Sequence, residues 1–160
     1  MTLGSSTTAL PSVGSAAPDF TLRSTAKDNV TLAAFRGKQN VLLAFFPLAF
    51  TGTCTAEMCS FSEDFGQFAS RETAVLPVSV DSTDTLREYK AKYQLPFELL
   101  SDFKRVVSRL YGVLNEERFY ANRAYIIIDR QGVVRWAWQE TRNGERRENA
   151  QLLAELEKLT

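Results

Sequence analysis

The sequence predicts an α/β fold in which helices flank a mixed central sheet and a β-hairpin and a helix close the chain. Three observations carry this prediction. Apolar runs typical of buried strands alternate with segments whose apolar residues have helical spacing. Two consecutive strand patterns late in the chain are joined by a short turn that ends in Gln-Gly. The final segment carries leucines on one helical face, and this order of elements is typical of helices packed around a sheet.

The first half of the chain contains the most continuous strand and helix patterns. Strands are predicted at residues 19–22 and 29–32, and an unbroken apolar run predicts a central strand at residues 41–46, buried on both faces. One helix of about four turns is expected next, because apolar residues recur there at intervals of three and four. Those residues are Cys54, Met58, Phe61, Phe65 and Phe68. Residues 74–80 predict another buried strand, in which Pro77 favours an edge position or a local distortion.

The second half repeats the alternation and ends in the hairpin. Its predicted elements are helices at residues 82–93, 103–111 and 148–159 and strands at residues 97–100, 123–129 and 133–139. A thioredoxin-like arrangement fits this order of strands and helices.

Length and charge limit the possible organisation and partners. A chain of 160 residues predicts one domain, since domains usually contain ~100–200 residues. Residues 1–12 read as a flexible tail rich in Ser and Thr, and residues 13–160 as the domain. The formal net charge is 0, so nothing favours nucleic acid or an anionic membrane as a partner. No apolar run approaches the ~20 residues that span a bilayer and no export signal is recognised, so the cytoplasm is the expected compartment.

The chain contains 0 histidines and 2 cysteines. The lack of histidine excludes Ser-His-Asp and Cys-His hydrolases and every His-ligated metal or haem site. Two cysteines are too few for a four-thiolate zinc or iron–sulfur site. We therefore expect no metal and no cofactor. Because structural disulfides are rare in the cytoplasm, two cysteines close in sequence favour redox chemistry.

Cys54 lies where the predicted central strand leads into the long helix. Unpaired backbone N–H groups and a partial positive charge at a helix N-terminus stabilise a thiolate. Thr51 or Thr53 is placed to cap this helix. Glu57, one turn further on, is placed to hold a cation near the sulfur. The alternative is that Cys54 is a small buried residue that only fills space.

Cys59 and Arg123 are the other candidates that the pattern supplies. Five residues of helix separate Cys54 from Cys59 by ~7.5 Å of rise and about 140° of rotation, so the two cannot form a disulfide while the helix is intact. Alternatively, Cys59 is a filler on a helix flank. Arg123 opens the best hairpin strand, from which it could reach Cys54 or remain solvated.

The segment FFPLAFTGTC, residues 45–54, resembles the active-site motif of the peroxiredoxins of the AhpC/TSA family. The pattern P-x-x-x-T-x-x-C is present as Pro47, Thr51 and Cys54, followed by the acidic Glu57 and, in NRAYIIID, by Arg123. The segments VGSAAPDFTL, LLSDF and YGVLNE add to this resemblance, which is greatest to the alkyl hydroperoxide reductase E type. The C-x-x-x-x-C spacing of Cys59 is instead similar to that of the bacterioferritin comigratory protein group.

The resemblance implies a thiol-dependent peroxidase. Cys54 would be the peroxidatic nucleophile that a peroxide oxidises to a sulfenic acid. Arg123 and the helix amides would stabilise the thiolate and the departing oxygen. Thr51 and the Cys54 amide would orient the peroxide, Pro47 would shield the sulfur from water, and Glu57 would position Arg123.

The resemblance also implies a recycling route and a quaternary structure. Cys59 would resolve the sulfenic acid as an intramolecular disulfide, which requires the first turns of the helix to unwind. A thioredoxin- or glutaredoxin-type protein would then reduce the disulfide. A homodimer formed through the active-site end of the fold is expected, although the group that shares the Cys59 spacing includes monomers.

Two other functions are compatible with the same fold. A thiol–disulfide oxidoreductase usually has a C-x-x-C motif and a proline before the hairpin strand, whereas this chain has C-x-x-x-x-C and the pair Asn122–Arg123. A peroxide sensor or holdase would instead use helix unwinding to expose apolar surface. Fast oxidation of the thiol by peroxide distinguishes the peroxidase from the oxidoreductase, and multiple turnover with a dithiol reductant distinguishes it from the sensor or holdase.

Overall fold

The computed structural model describes residues 9–159 and confirms the predicted mixed sheet flanked by helices. The strands are β1 Thr21–Ser24, β2 Asn29–Thr31, β3 Asn40–Phe45, β4 Thr73–Ser79, β5 Leu100–Ser101, β6 Leu114–Asn115, β7 Tyr120–Ala121, β8 Ala124–Ile128 and β9 Val134–Gln139. The α-helices are α1 Gly52–Glu63, α2 Phe65–Ser70, α3 Thr83–Tyr93, α4 Val106–Leu110 and α5 Asn149–Glu157. A 3-10 turn at Leu32–Phe35 follows β2. Of the tail predicted at residues 1–12, residues 1–8 lie outside the described part of the chain.

Seven strands form the main sheet in the order β2-β1-β5-β4-β3-β8-β9, and β6 pairs with β7 as a separate ribbon. The inner strand β3 is parallel to β4 and antiparallel to β8. All its residues are buried, as its continuous apolar run predicts. Leu42 and Ala44 pack into one core with α1, α3 and α5, and Leu43 and Phe45 pack into the core on the opposite face.

The sheet brings the start of α1 and the start of β8 together. Because β8 is antiparallel to β3, its first residue, Ala124, pairs with the last residue of β3, Phe45. The chain leaves β3 at this point and enters α1 a few residues later. Arg123 therefore lies at the same edge of the sheet as Cys54.

The edge position expected for Pro77 is wrong, because β4 is an inner strand between β5 and β3. The carbonyl of Val78 accepts from the N–H of Phe46, which follows β3, so the backbone groups of Val78 point toward β3. The carbonyl of Ser79 accepts from the N–H of Asp102, which follows β5, so those of Ser79 point toward β5. Successive residues of β4 therefore direct their backbone groups alternately toward β3 and toward β5. Pro77 accordingly faces the β5 side, where β5 pairs only with Val78 and Ser79. A missing N–H is tolerated there since no ladder hydrogen bond is lost.

The single helix predicted from the apolar stripe is also wrong, since α1 ends at Glu63 and α2 begins at Phe65. Asn149, at the start of α5, donates from Nδ2 to the Ser60 carbonyl and to Asp64 Oδ2, both at 2.9 Å. These hydrogen bonds from α5 give the Ser60 carbonyl and the Asp64 carboxylate a partner at the end of α1, and they fix the bend at Asp64. The apolar residues of α1 and α2 still form one continuous face, because Phe61 of α1 and Phe68 of α2 pack edge to face with their ring centroids 5.8 Å apart.

Other predicted boundaries differ by small amounts. The strand expected at residues 97–100 is Leu100–Ser101, and the helix expected at 103–111 is shortened to Val106–Leu110 because Arg105 has a left-handed backbone, with a φ of 63°. The two-residue strands β6 and β7 were not predicted, since they are too short for an alternating pattern. None of the helices in residues 9–159 has the length and apolar character that crossing a membrane requires.

Candidate active site

Cys54 lies in the first turn of α1, whose N-cap residue is Thr51. The first intrahelical hydrogen bond runs from Thr55 N–H to the Thr51 carbonyl at 2.9 Å. The amides of Gly52, Thr53 and Cys54 precede it and have no partner within the helix. These amides and the helix dipole favour negative charge around the buried sulfur of Cys54.

The turn between β3 and α1 determines where the helix begins. The carboxylate of Asp81, after β4, accepts from Ala49 N–H at 2.8 Å and holds the middle of this turn. Phe50 then takes a left-handed backbone with a φ of 68°, which redirects the chain into the helix. Thr51 occupies the N-cap position, but its hydroxyl donates to the Leu48 carbonyl at 2.7 Å rather than accepting from a helix amide. Its oxygen lone pairs remain directed to accept from another donor.

Arg123 is buried, so it is not a solvated residue at a strand end. Its Nη2 donates to Cys54 Sγ at 3.2 Å and to the Asn143 carbonyl at 3.0 Å. Its Nη1 donates to Glu57 Oε1 at 2.9 Å, and its Nε donates to the Glu145 carbonyl at 3.0 Å. Burial opposes the charged form of Arg123, but Glu57 and Cys54 outweigh this and raise its pKa above the ordinary value. A permanent cation therefore faces the sulfur.

Glu57 is buried one turn after Cys54 on the same helix. Its Oε1 accepts from Arg123, and its Oε2 accepts a short hydrogen bond from the Tyr125 hydroxyl. Burial raises the pKa of Glu57, while the charge of Arg123 and the hydrogen bonds from Tyr125 and Arg123 act in the opposite direction. Glu57 thus has the position predicted for it, between the helix and the cation.

A cavity of about 250 Å³ opens onto the sulfur. Pro47, Thr51 and Cys54 line it on the α1 side, and Tyr120 and Arg123 line it on the β7–β8 side. Four of the residues predicted from the sequence motif therefore meet at one small site. Its volume matches a small molecule rather than an extended chain.

Cys59 does not line this cavity. It is half-buried in the middle of α1, and both cysteines are free thiols. The continuous helix from Gly52 to Glu63 keeps the two residues about 7.5 Å apart along its axis. Tyr89 of α3 lies beside them: its hydroxyl donates to Thr55 at 3.1 Å, and burial, followed by smaller contributions from Cys54 and Cys59, raises its pKa.

Sequence reasoning missed Tyr125 and the two carbonyls that hold Arg123. Tyr125 was detectable, because a residue two positions after Arg123 on a strand projects from the same face of the sheet. The carbonyls of Asn143 and Glu145 were not, since a backbone acceptor leaves no trace in residue identity. Asn143 also donates from Nδ2 to the Tyr120 hydroxyl at 2.8 Å, which ties this loop to the wall of the cavity.

Several known proteins are similar to this chain in sequence and in fold. Residues 13–137 match the AhpC/TSA family. The alkyl hydroperoxide reductase E of Mycobacterium tuberculosis is 43% identical over 127 residues, which are 78% of this chain and 83% of that protein. The putative peroxiredoxin bcp of Coxiella burnetii is 34% identical over 136 residues, which are 81% of this chain and 89% of that protein. The crystal structure of the reduced 2-Cys peroxiredoxin of Plasmodium vivax superposes with a TM-score of 0.85 at 30% identity, covering 92% of this chain and 81% of that one.

These comparisons confirm the resemblance based on the motif around Cys54, including its similarity to both the alkyl hydroperoxide reductase E and the bcp groups. They also confirm the thioredoxin-like fold, because the superposition covers nearly the whole chain. The match extends over residues 13–137, and the chain therefore belongs to the AhpC/TSA family of peroxiredoxins, which are thiol-dependent peroxidases.

Proposed function

We propose that Cys54 is the peroxidatic residue of this peroxidase and that it reduces hydrogen peroxide and small organic hydroperoxides. The observation that carries this proposal is the 3.2 Å hydrogen bond from Arg123 Nη2 to Cys54 Sγ at the base of the cavity. A guanidinium and the N-terminal amides of a helix converge there on one sulfur. Both favour the thiolate, which is the nucleophilic form of cysteine.

The first step transfers one oxygen atom to the sulfur. The Cys54 thiolate attacks the terminal oxygen of the peroxide, the O–O bond breaks, and the departing oxygen takes a proton to leave as an alcohol or water. The Thr51 oxygen accepts a hydrogen bond from the peroxide hydroxyl, and the Cys54 amide donates a hydrogen bond to the peroxide. Arg123 stabilises the charge that develops on the departing oxygen, while Pro47 restricts the access of water to the sulfur. Glu57 holds Arg123 in place through its 2.9 Å ion pair.

The second step forms a disulfide. The Cys59 thiol attacks the sulfenic acid of Cys54, an S–S bond forms, and water leaves. The intact α1 helix keeps the two sulfurs apart, so its first turns must unwind for this step. A dithiol protein of the thioredoxin or glutaredoxin type then reduces the disulfide by thiol exchange and is itself oxidised. This cycle is expected in a compartment with such reductants, of which the cytoplasm is the first candidate.

We infer that the protein forms a homodimer through its active-site end. Support comes from an apolar patch formed by Phe103, Val106, Leu110 and Phe119, large side chains that are 48–60% exposed. The Arg105 guanidinium lies 5.7 Å from the Phe103 ring centroid and 4.4 Å from that of Phe119, so one side chain contacts both rings. Phe119 is followed in the chain by Tyr120, which lines the Cys54 cavity.

Stopped-flow mixing of the reduced protein with peroxide tests the peroxidatic role. Fast oxidation that Cys54→Ser abolishes and Cys59→Ser retains supports the proposal. The absence of fast oxidation favours a thiol–disulfide oxidoreductase. A protein that is oxidised only once and does not turn over when thioredoxin, its reductase and NADPH are supplied would favour a sensor or holdase.

Mass spectrometry after one equivalent of peroxide tests the role of Cys59. A mass decrease of two hydrogens in the wild type is expected, together with retention of one added oxygen in the Cys59→Ser variant. A wild-type protein that retains a sulfenic or sulfinic acid on Cys54 would contradict resolution by Cys59 and would indicate single-cysteine chemistry.

A further inference from the structure

Tyr125 connects Glu57 to the loop that precedes α5. The residue lies on β8 and is buried on the α1 face of the sheet. Its hydroxyl accepts from Arg147 N–H at 3.0 Å and donates to Glu57 Oε2. A hydroxyl has only one hydrogen, so the amide of Arg147 directs that hydrogen toward the carboxylate.

Three consecutive hydrogen bonds join this hydroxyl to the reactive sulfur. Tyr125 donates to one oxygen of Glu57, Arg123 donates to the other, and Arg123 also donates to Cys54. Both oxygens of Glu57 are therefore held from the start of β8, by Tyr125 within the strand and by Arg123 directly before it. Rotation of the carboxylate in either direction would break one of the two bonds.

The loop that holds Tyr125 is itself anchored. Arg147 forms a two-pronged ion pair with the buried Glu140, from Nε at 2.7 Å and from Nη2 at 3.2 Å. The same loop supplies the Asn143 and Glu145 carbonyls to Arg123. The direction of the Tyr125 hydroxyl thus depends on fixed backbone rather than on a mobile side chain.

We propose that Tyr125 is a positioning residue of the peroxidase reaction, whose hydroxyl fixes the Glu57 carboxylate so that Arg123 remains aimed at the Cys54 sulfur. Tyr125 is absent from the lining of the Cys54 cavity, so it acts through Glu57 rather than on the substrate. This inference rests on the peroxidatic role proposed for Cys54.

The electrostatics around Glu57 support an active role for the hydroxyl. Burial raises the pKa of Glu57, and the charge of Arg123, the hydrogen bond from Tyr125 and the charge of Arg146 act against that rise. Cys54 lies one turn earlier than Glu57 on α1. Loss of the hydroxyl removes one of the groups that favour the charged form of Glu57, and a neutral Glu57 holds Arg123 less firmly.

The test compares Tyr125→Phe with the wild type over a range of pH in stopped-flow peroxide reactions. We expect the rate constant on the high-pH plateau to fall about tenfold, the usual effect of losing a hydrogen bond to a charged group. The acidic limb of the profile should also move to higher pH, because the pKa of Glu57 rises further. Tyr111→Phe is the matched control, since that hydroxyl donates to the Pro18 carbonyl at 2.6 Å on the other face of the sheet. It should leave both features unchanged.

A double-mutant cycle with Glu57→Gln tests whether Tyr125 acts through Glu57. Adding Tyr125→Phe to the Glu57→Gln variant should change the plateau by less than about twofold, since the group that Tyr125 positions is already altered. Additive losses overturn the proposal, as does a Tyr125→Phe variant with the plateau and profile of the wild type. A wild-type protein whose Cys54 reacts slowly with peroxide refutes the proposed function instead, so the two failures are distinguishable.

Discussion

The guanidinium of Arg123 is the residue-scale feature on which the site depends. Moving a charge of this size out of water costs several kcal/mol unless partners compensate for the lost hydration. Arg123 has four such hydrogen bonds, to Cys54, Glu57 and the carbonyls of Asn143 and Glu145. The planar fork of donors fixes their directions. A lysine ammonium at this position would supply a positive charge, but its flexible stem would not hold that charge toward the sulfur in one fixed direction.

Replacing Arg123 by Met is expected to lower the rate constant of the peroxide reaction by a factor of about 10²–10³, the usual cost of removing a donor that stabilises developing negative charge. The single replacement also leaves the buried Glu57 without its cation, which is expected to cost about 3–5 kcal/mol of stability. Arg123→Met is therefore combined with Glu57→Gln in one protein. Its thermal unfolding is measured along with the stopped-flow rate constant, to establish that it is folded.

The control is Arg130→Met, which removes a partly exposed arginine paired with Glu72. Pairs of this kind contribute about 0–1 kcal/mol, so neither rate nor stability should change much. If the Arg123→Met/Glu57→Gln protein is folded and reacts with peroxide as fast as the Glu57→Gln protein, Arg123 does not stabilise the reacting atoms.

Most side chains of this site could be predicted from the sequence because they lie within a dozen residues of one another or in one strand motif. They are Pro47, Thr51, Cys54, Glu57 and Arg123. Their meeting at one cavity was not predictable from spacing, since it depends on the antiparallel pairing of β3 with β8. Tyr125 was overlooked because an aromatic residue in a buried strand is ordinarily part of the core.

At the scale of a single element, the proposed cycle places two requirements on helix α1. Its first turn has to be intact to direct amides toward Cys54, yet the same turn has to open before Cys59 can reach Cys54. The two ends of the helix are held unequally. Thr55, near the start, has a 3.1 Å hydrogen bond from Tyr89, whereas Ser60, near the end, accepts two 2.9 Å hydrogen bonds from Asn149. Unwinding is therefore expected to be confined to the first half.

Hydrogen exchange measures this directly. After one equivalent of peroxide, the amides from Thr55 to Cys59 should lose their protection, because a helix cannot accommodate a disulfide between residues five apart. The amides of Asp64 and Phe68 should remain protected, since they donate to the carbonyls of Ser60 and Asp64 at the end of the helix that Asn149 still holds. The oxidised Cys59→Ser protein serves as the control and should keep the whole helix protected. A disulfide-bonded protein with an unchanged exchange pattern along α1 would contradict the unwinding step.

The boundaries of elements were less predictable than their existence, and the reasons are tertiary. The apolar stripe from Cys54 to Phe68 was recognised correctly as a core face, but the bend at Asp64 depends on Asn149, a residue distant in sequence. Pro77 was misassigned because its tolerance in an inner strand depends on how far β5 extends beside it. Neither contact has a local signature.

At the scale of the whole molecule, the two cores leave one large apolar area uncovered. Phe103, Val106 and Leu110 are 60%, 59% and 50% exposed, and Val106 and Leu110 lie one turn apart on α4. Together with Phe20 and Leu22 they line an open cavity of about 600 Å³. Burying such side chains in water-free contact is favourable by ~25 cal/mol per Å², so this apolar area supports the homodimer proposed above.

Introducing charge into this patch should therefore disrupt the proposed homodimer. We expect Val106→Glu with Leu110→Glu to shift the protein from twice the chain mass to the 18.0 kDa of one chain in sedimentation equilibrium, because an unpaired carboxylate in the interface costs several kcal/mol. Val13→Glu is the matched control, since Val13 is an exposed valine outside the patch. Sedimentation of the wild type as a single chain at micromolar concentration would contradict the homodimer. Because Phe119 of the patch leads directly into Tyr120 at the Cys54 cavity, we also expect the charged variant to react more slowly with peroxide.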